Sequence, residues 1–435
     1  MLKHVRAMAM VQPVRLPSFR RLFVGESIAV FADQMLLVAL TLLALRVAGP
    51  GFALGSVLAV AAVPGALLMP LGGWVSDRFS PARVLFLCGT GRTLLALALA
   101  LIAFLGASSS WPLYALAGAL GVLNALYYPA SLSTVPAVLE DKALLGAGNA
   151  LVLGAQQASE TAGPVLAASV VALFGLGTVF GVNALMFAAA AILFGLVASG
   201  TRHTIQVTLG VNALSEEPSR RERHKLADSE GPTEESQGPV AGIVEGIRYA
   251  WRDPLLRTML FALALLSFST SGPLRVGGAM LAETRLGGAE AFGVLLSVFG
   301  AGSLIGLVAA GSLVRTGRRG LDLIVGTVAL GLGLGALGFV SDLLPAVTIV
   351  AGMGVGAGYL GVVLMAWLQE RTKPSMHGRV MSLMMFAAVA VDPLSYALMG
   401  ALSELDLRMM FAAAGCVLVI TALAGATSRT VRSFG

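Results

Sequence analysis

Long apolar runs, separated by short polar loops, recur twelve times in this sequence of 435 residues. A run of about 20 apolar residues crosses the hydrocarbon of a bilayer as a helix, and the loop between two runs must lie in water or among headgroups. The chain is 57% hydrophobic and 12% charged, which is too apolar for a water-soluble domain. We therefore predict an all-α membrane protein with twelve transmembrane helices.

The apolar runs fall into two groups of six. The first group is predicted at residues 22–45, 53–75, 83–106, 111–136, 146–174 and 177–199. The second group is predicted at residues 255–280, 289–314, 321–341, 345–369, 377–402 and 408–428. A short basic loop follows the second run of each group, and such a weak internal repeat is typical of a transporter with two pseudo-symmetric halves.

A polar stretch separates the two groups. Residues 200–239 are dense in charge and contain three prolines, which is typical of a flexible linker. Apolar residues then recur at helical spacing from Val240 to Trp251, which predicts either an amphipathic helix on the membrane surface or a buried connector helix. The predicted regions are an N-terminal six-helix half (1–199), a cytoplasmic linker with the amphipathic helix (200–254) and a C-terminal six-helix half (255–435).

Nearly all lysine and arginine residues lie at the termini and in every second loop. Basic loops mark the cytoplasmic side of a membrane, and an even number of spans puts both termini on one side. We therefore expect both termini in the cytoplasm. This distribution also accounts for the net charge of +6, so we expect no nucleic-acid partner.

Sequence motifs for enzymes and metal sites are missing. Cys88 and Cys416 lie within apolar runs and give neither a disulfide framework nor a metal-binding spacing. The four histidines are scattered, and no metalloprotease, serine-hydrolase or phosphate-binding motif occurs. We expect no enzyme activity, no metal and no cofactor.

Residues 72–83 form a charged turn between the second and third spans. Asp77 can accept hydrogen bonds from a helix N-terminus or an arginine, which favours a conformational latch. The turn resembles the loop between helices 2 and 3 of the major facilitator superfamily, whose pattern is Gly-x-x-x-Asp-Arg-x-Gly-Arg-Arg. Gly73, Asp77 and Arg78 match, and Arg83 is what remains of the basic pair. The alternative is a plain cytoplasmic loop whose arginines only fix topology.

The fifth span resembles a motif of the superfamily's antiporter branch, Gly-x8-Gly-x3-Gly-Pro-x2-Gly-Gly. Ser159, Gly163 and Pro164 stand at its centre, and alanines replace the remaining glycines. Small residues allow close helix packing, and Pro164 bends the span. With shorter matches elsewhere, the whole chain resembles the bacterial efflux branch that includes an enterobactin exporter. That resemblance implies export by antiport across the inner membrane of a bacterium.

Polar side chains within the spans are functional candidates, because a charged group in hydrocarbon is costly unless it finds water or a partner. They recur on single faces of the first, fourth, fifth and eleventh spans, which predicts an aqueous cavity between the two halves. The candidates for coupling and for the substrate cavity are Glu26, Asp33, Gln34, Arg92, Asn124, Tyr127, Tyr128, Gln156, Glu160, Arg275 and Asp392.

The three candidate carboxylates of the N-terminal half each have a second interpretation. Asp33, near mid-depth, serves either in coupling or in a structural pair with Arg92 of the third span. Glu160 serves either in coupling or as a gate residue beside Pro164. Glu26 lies near the cytoplasmic end and either functions in transport or simply reaches the headgroups.

Arg275 and the two tyrosines of the fourth span also have two interpretations each. Arg275 follows a Ser-Thr-Ser-Gly-Pro break in the seventh span, which we expect to expose backbone groups toward the cavity. Arg275 either binds an anion or snorkels to the outer surface, and we favour snorkelling. Tyr127 and Tyr128 either stack on an aromatic substrate or belong to an interfacial belt.

The function that we predict is secondary active transport, specifically proton-coupled export of a small amphipathic molecule such as a drug, siderophore or secondary metabolite. The two halves rock about a central site while a buried carboxylate exchanges a proton, and we place this role on Asp33 ahead of Glu160 and Asp392. The expected partners are the substrate, protons and the bilayer; the proton gradient replaces a cofactor, and no oligomer is required. The alternatives are a lysophospholipid flippase and a transport-inactive receptor or scaffold.

Overall fold

The computed structural model describes residues 12–106, 109–139, 141–212, 248, 251–313, 319–372 and 377–427. Within these ranges the ordered elements are helical. In the first half a 3₁₀ turn (Gln12–Arg15) precedes six helices. They are α1 (Pro17–Val47), α2 (Phe52–Arg78), α3 (Pro81–Leu105), α4 (Trp111–Val138), α5 (Lys142–Phe174) and α6 (Leu176–Asn212).

The second half contains α7 (Pro254–Gly272), α8 (Ala289–Leu313), α9 (Arg319–Leu337), α10 (Leu343–Arg371), α11 (His377–Val389), α12 (Asp392–Leu405) and α13 (Leu407–Thr427). The predicted eleventh span is divided between α11 and α12, because the chain makes a turn at residues 390–391 just before Pro393. Beyond α7 the seventh span continues through a π-helical turn (Pro273–Gly277), one α-helical turn (Gly278–Leu281) and a second π-helical turn (Ala282–Leu286).

Eleven helical segments of the described chain are long and apolar enough to cross a membrane. The fifth predicted span, α5, is not among these eleven segments. It has 33 residues but contains Gln156, Gln157 and Glu160 near its middle. These polar groups lower its hydropathy, and they need water or partners if the helix lies in a bilayer. The protein is therefore an all-α, multi-pass membrane protein with twelve spans in two six-helix halves.

Each half packs as its own bundle. In the first half α6 packs against α1 and α3, and α4 packs against α2 and α3. In the second half α10 packs against α8 and α9, and α9 packs against α13. The two halves meet along α5 with α8 and along α2 with α12.

Glycines show where the two halves touch. Because successive spans alternate in direction, we call the side on which α1 begins the terminal side and the opposite side the far side. A Cβ atom added to Gly293 or Gly300 of α8 would meet backbone of α5, and one added to Gly55 of α2 would meet backbone of α12. Toward the terminal side, a Cβ atom on Gly154 of α5 would find no atom of the described residues within 4 Å. The direct backbone contacts between the halves at these glycines therefore lie on the far side and at mid-depth.

Two serine hydroxyls satisfy backbone groups beside prolines. Pro164 interrupts the hydrogen-bond ladder of α5, and the N–H of Val165 donates to Oγ of Ser297 on α8 at 2.8 Å. In the seventh span, the N–H of Gly272 donates to Oγ of Ser395 on α12 at 2.9 Å, and the same hydroxyl donates to the carbonyl of Phe268. The predicted exposure of backbone groups at the Ser-Thr-Ser-Gly-Pro break is therefore wrong at these two groups, because Ser395 pairs with them.

Two predicted features of the loops lie partly or wholly outside the described residues. The helix α6 extends to Asn212, although its apolar window ends at Ser199 where the sixth span was predicted to end. The remainder of the linker and most of the predicted amphipathic helix lie outside the described residues. At the end of that segment, the ring of Trp251 packs edge-on against Phe261, with 5.8 Å between the centroids.

Candidate functional site

Arg92 of α3 lies at the centre of a polar cluster inside the first half. Its side chain is 3% exposed, and its Nη1 donates to Oδ2 of Asp33 on α1 at 3.0 Å. Its Nη2 donates to Oδ1 of Asn124 on α4 at 2.6 Å. A guanidinium has a fixed fork of donors, so Arg92 holds α1 and α4 at a set distance from α3. The pair with Asp33 that the sequence suggested is present.

The Tyr127 side chain of α4 connects this pair to a second carboxylate. The guanidinium carbon of Arg92 lies 3.8 Å from the centroid of the Tyr127 ring, which is a close cation–π contact. The Tyr127 hydroxyl donates to Oε2 of Glu26 at 2.7 Å, and Oγ of Ser131 donates to the other carboxylate oxygen of Glu26. Glu26 is 5% exposed. We call Glu26, Asp33, Arg92, Asn124 and Tyr127 the arginine cluster.

Charge within the arginine cluster is not balanced when both carboxyl groups are ionised. Glu26 and Asp33 then carry two negative charges against the one positive charge of Arg92. An uncompensated charge away from water is costly, and binding of one proton would make the cluster neutral. The arrangement can therefore hold and release one proton while Arg92 stays charged.

One edge of the arginine cluster is open. The side chain of Asp33 is 30% exposed and Asn124 is exposed, whereas Arg92, Glu26 and Tyr127 are buried. Both open residues belong to the mid-depth part of their helices, so water or a substrate can approach Asp33 without displacing the buried members. Asp33 is therefore the more accessible of the two carboxylates of the cluster.

A second group of charged residues spans both halves. Glu160 on α5 accepts hydrogen bonds from Nε2 of Gln156 at 3.3 Å and from Nε2 of Gln157 at 3.0 Å. In the seventh span, Nη1 of Arg275 donates to the hydroxyl of Tyr396, which makes a long 3.5 Å contact with Oδ2 of Asp392. The charges of Glu160 and Arg275 are close enough to interact.

Arg275 does not snorkel to a membrane surface, contrary to our expectation. Its contact with Tyr396, whose ring centroid lies 5.6 Å from the guanidinium carbon, keeps Arg275 inside the second half. Tyr396 is 2% exposed, so this is a buried anchor and not an interfacial one. The phenol oxygen is a better partner than water at this depth, because it is already fixed in place by α12.

Contacts also fix the positions of Glu26 and the two tyrosines of α4. Glu26 does not reach the headgroups, because Tyr127 and Ser131 hold its carboxylate inside the first half. Tyr127 neither lies at an interface nor offers its ring face to a substrate, because the ring is buried beneath Arg92. Tyr128 is half-buried and its hydroxyl donates to Sδ of Met385 on α11 at 3.7 Å, so it reaches across to the second half.

The predicted antiporter motif lies at the contact between the halves. Gly163 lies against α1, because a Cβ atom added there would come within 2.6 Å of Cβ of Gln34. The hydroxyl of Ser159 donates to the carbonyl of Ala155 in its own helix, so Ser159 serves as a small packing residue. Pro164 leaves the Glu160 carbonyl without a helical partner, and Gly300 of α8 packs on that carbonyl.

The predicted latch is described only in part. Gly73 and Asp77 lie within α2, and the structure does not describe what surrounds them. The guanidinium carbon of Arg78 lies 5.9 Å from the ring centroid of Trp74, one turn earlier on α2. Nε of Arg83 is buried and has no hydrogen-bond partner among the described residues. The latch role of these four residues stays a prediction.

Ser297 belongs to the contact between the halves, and the sequence did not lead us to it. It lies between Gly293 and Gly300, so small residues recur along α8 at nearly helical spacing. That spacing is the signal which predicts a close helix contact, but it does not reveal that the hydroxyl pairs with a backbone N–H beside a proline on another helix. The described residues contain no group of three or more His, Cys, Asp or Glu side chains suited to a metal ion.

Comparison with known proteins gives consistent matches along the chain. A sequence model of the Major Facilitator Superfamily matches residues 22–390. The chain is 25% identical over 395 residues to the enterobactin exporter EntS of Shigella boydii, covering 89% of this chain and 86% of that protein. It is 25% identical over 419 residues to the MFS-type transporter YfiS of Bacillus subtilis, covering 92% of this chain and 91% of YfiS.

Solved structures share the fold at low identity. A mutant of the nucleoside transporter NupG superposes with a TM-score of 0.71 at 12% identity, covering 94% of this chain and 99% of NupG. A POT family transporter in complex with 5-aminolevulinic acid gives a TM-score of 0.69 at 13% identity, covering 93% of this chain and 94% of that protein.

Proposed function

Because the chain belongs to the major facilitator superfamily and is a membrane transporter, we propose that it exports a small amphipathic molecule in exchange for protons. Transport proceeds by alternating access, with the two halves rocking about a central site. The protein lies in the inner membrane of a bacterium with both termini in the cytoplasm. Under this proposal the terminal side is the cytoplasmic side and the far side is the outer side.

The observation that carries this proposal is the open edge of the arginine cluster. Asp33 is the partly exposed member of a cluster whose two carboxyl groups share one arginine. When Asp33 is protonated, Arg92 loses an ionised partner and the cluster is neutral. When Asp33 releases the proton, the cluster gains a negative charge, which changes its interaction with any charged or polar group in the cavity.

The position of the close contacts between the halves supports the transport cycle. The glycines that touch across the halves belong to the far side and the middle of the helices. We infer that this state is closed on the outer side, which is the state in which an exporter takes up its substrate from the cytoplasm. Rocking the halves in the opposite sense requires parting α5 from α8 and α2 from α12 on the far side.

The exposed polar groups of the spans and the relatives both support a small amphipathic substrate. Asn124, Tyr128 and Gln156 are partly or fully exposed polar groups within the spans, next to apolar neighbours on the same helices. Such a surface suits a molecule with a hydrogen-bonding head and an apolar body. By its name, the relative EntS exports enterobactin, which supports export of a small secondary metabolite here.

No cofactor and no oligomer are needed for this mechanism. Each member of the arginine cluster comes from one chain, and the energy comes from the proton gradient. Side chains and a proton suffice for coupling, because the charge change at Asp33 alters the relative stability of the two orientations.

The test uses everted membrane vesicles with an imposed pH gradient and a panel of drugs, siderophores and lysolipids. Wild-type vesicles should accumulate at least one non-lipid compound when the lumen is acidic, and Asp33→Asn vesicles should not. The control is Asp342→Asn, which removes an exposed carboxylate at the start of α10. Accumulation of lysolipids alone would support the flippase, and accumulation of nothing on the panel contradicts export of these substrate classes.

A further inference from the structure

The first turn of α2 lacks a cap from its own sequence. The helix begins at Phe52, and the residue before it is Gly51, which has no side chain to pair with the free backbone N–H groups. The N–H of Phe52 instead donates to Oε1 of Glu404 at 2.9 Å. Glu404 belongs to α12, in the other half of the protein and 352 residues away. The capping group of α2 therefore comes from the opposite half.

Glycines make this cap possible. Gly51 has a φ of +68°, a left-handed conformation that favours glycine, and a Cβ atom added there would collide with the Glu404 side chain. One turn before Glu404, a Cβ atom on Gly400 would lie 2.8 Å from the Gly51 carbonyl oxygen and 3.0 Å from Cα of Gly55. The two backbones therefore touch directly, and this contact positions the carboxylate over the end of α2.

Charge adds to the hydrogen bond. The N-terminus of a helix carries a partial positive charge, so an ionised carboxylate binds there more strongly than a neutral acceptor. Glu404 is exposed, so water can replace it at the N–H of Phe52 when the halves part. A contact with these properties can break and form again without leaving a buried polar group unpaired.

We propose that Glu404 is a gate residue that caps α2 from the other half while the far side is closed and releases it when the far side opens. This inference rests on the alternating-access cycle proposed above. It adds a residue that stabilises the state in which the far side is closed. It requires no particular substrate or coupling ion. Removal of the carboxylate should shift the resting population toward the state that is open on the far side.

The test measures the distance between the halves on the far side by electron paramagnetic resonance of two spin labels. The full-length chain in lipid nanodiscs carries Cys88→Ala and Cys416→Ala, with labels at Trp111→Cys on α4 and Leu344→Cys on α10. Both positions are 76% exposed and lie where their helices begin on the far side. The variants are Glu404→Ala and Glu404→Gln. Glu290→Ala is the control, an exposed glutamate in the first turn of α8 on the same side.

Glu404→Ala should raise the ratio of the long-distance to the short-distance population by about fivefold, as expected for a lost helix cap. Glu404→Gln keeps an acceptor but loses the charge, so its rise should be smaller but measurable. Unchanged distances in both variants, or an equal change in Glu290→Ala, overturn the proposal. If Glu404→Ala does not fold, the Glu404→Gln result alone decides. Because no substrate or gradient is present, this result is independent of whether proton-driven export is found.

Discussion

Nη1 of Arg92 and Oδ2 of Asp33 lie 3.0 Å apart, joining α3 to α1 within a single half of the transporter. The same guanidinium bonds Asn124 and covers the ring of Tyr127, so one side chain organises three helices. An ion pair with one buried and one partly exposed partner can be broken from the open side. Under the proposed mechanism, Asp33 is the member of the pair that binds and releases the proton.

Asp33→Asn separates proton coupling from substrate binding. The amide imitates the protonated carboxyl group in shape and charge, so export driven by a pH gradient should stop while exchange of substrate without a gradient survives. Both are measured as initial rates in everted vesicles at matched expression. Persistence of gradient-driven export in Asp33→Asn, together with its loss in Glu160→Gln, would move the coupling role to α5. Normal export by both variants would rule out coupling through either one.

Arg92→Lys should lower transport about tenfold or more although the positive charge is kept. An ammonium group has no planar fork, so it cannot bond Asp33 and Asn124 in the same way while stacking on Tyr127, and a loss of about 1–3 kcal/mol is expected. The measurement is the initial export rate per molecule. Asp342→Asn is the surface control, and wild-type rates in Arg92→Lys would show that the fork geometry is irrelevant.

Tyr127→Phe removes the hydroxyl that donates to Glu26. The carboxylate then keeps the Ser131 contact but loses a charge-assisted hydrogen bond in a buried setting, which should cost about 1.5–3 kcal/mol. The thermal midpoint in detergent should fall accordingly. Tyr114→Phe is the matched control, because the Tyr114 hydroxyl contacts the neutral hydroxyl of Ser56 at 2.7 Å. Equal shifts in both variants would contradict a charge-assisted bond at Glu26.

Ser297→Ala should weaken the contact between the halves beside Pro164. The N–H of Val165 loses its hydrogen bond to the other half, and the loss of such a bond costs about 0.5–1.5 kcal/mol. The thermal midpoint should fall, and Ser297→Thr, which keeps a hydroxyl, should restore most of it. Failure of threonine to perform better than alanine would mean that packing volume and not the hydrogen bond is what matters at this position.

Gly300→Ala should impair transport severely. A methyl group there would lie 2.8 Å from the carbonyl oxygen of Glu160, so α8 cannot approach α5 as closely as it does now. Gly154→Ala is the matched control, because a Cβ atom at Gly154 meets no atom of the described residues within 4 Å, and alanine favours the helix by about 1 kcal/mol. Export rates should distinguish them, and equal rates would contradict a tight α5–α8 contact in the cycle.

The helices were predictable because hydrocarbon leaves the backbone few options. Each of the twelve predicted spans overlaps a helix, and the pairing of Asp33 with Arg92 agrees with their similar depth on the first and third spans. The orientation of Arg275 was not predictable, since snorkelling and a partner on another helix suit the same sequence equally well. Neither interpretation offered for Tyr127 was right, for a related reason. Its spacing places it on a polar face of the helix but does not reveal that Arg92 lies above its ring.

Contacts between distant segments were the least accessible to sequence reasoning. Ser297 and Ser395 are ordinary small residues until the folded chain brings them beside the prolines of other helices. Their role depends on backbone groups that lie near a proline of another helix, and such a relationship has no local pattern. The cap that Glu404 provides for α2 has the same character.

The two π-helical turns of the seventh span give that helix a property that a regular α-helix lacks. A π-helical turn holds more residues than an α-helical one, so tightening it by one residue would rotate the side chains beyond it by about 100°. Arg275 lies in the first of these turns, and its bond to Tyr396 is made in the wide form of the turn. Because Arg275 lies inside that turn, a local change of winding would change its direction and with it the bond to Tyr396.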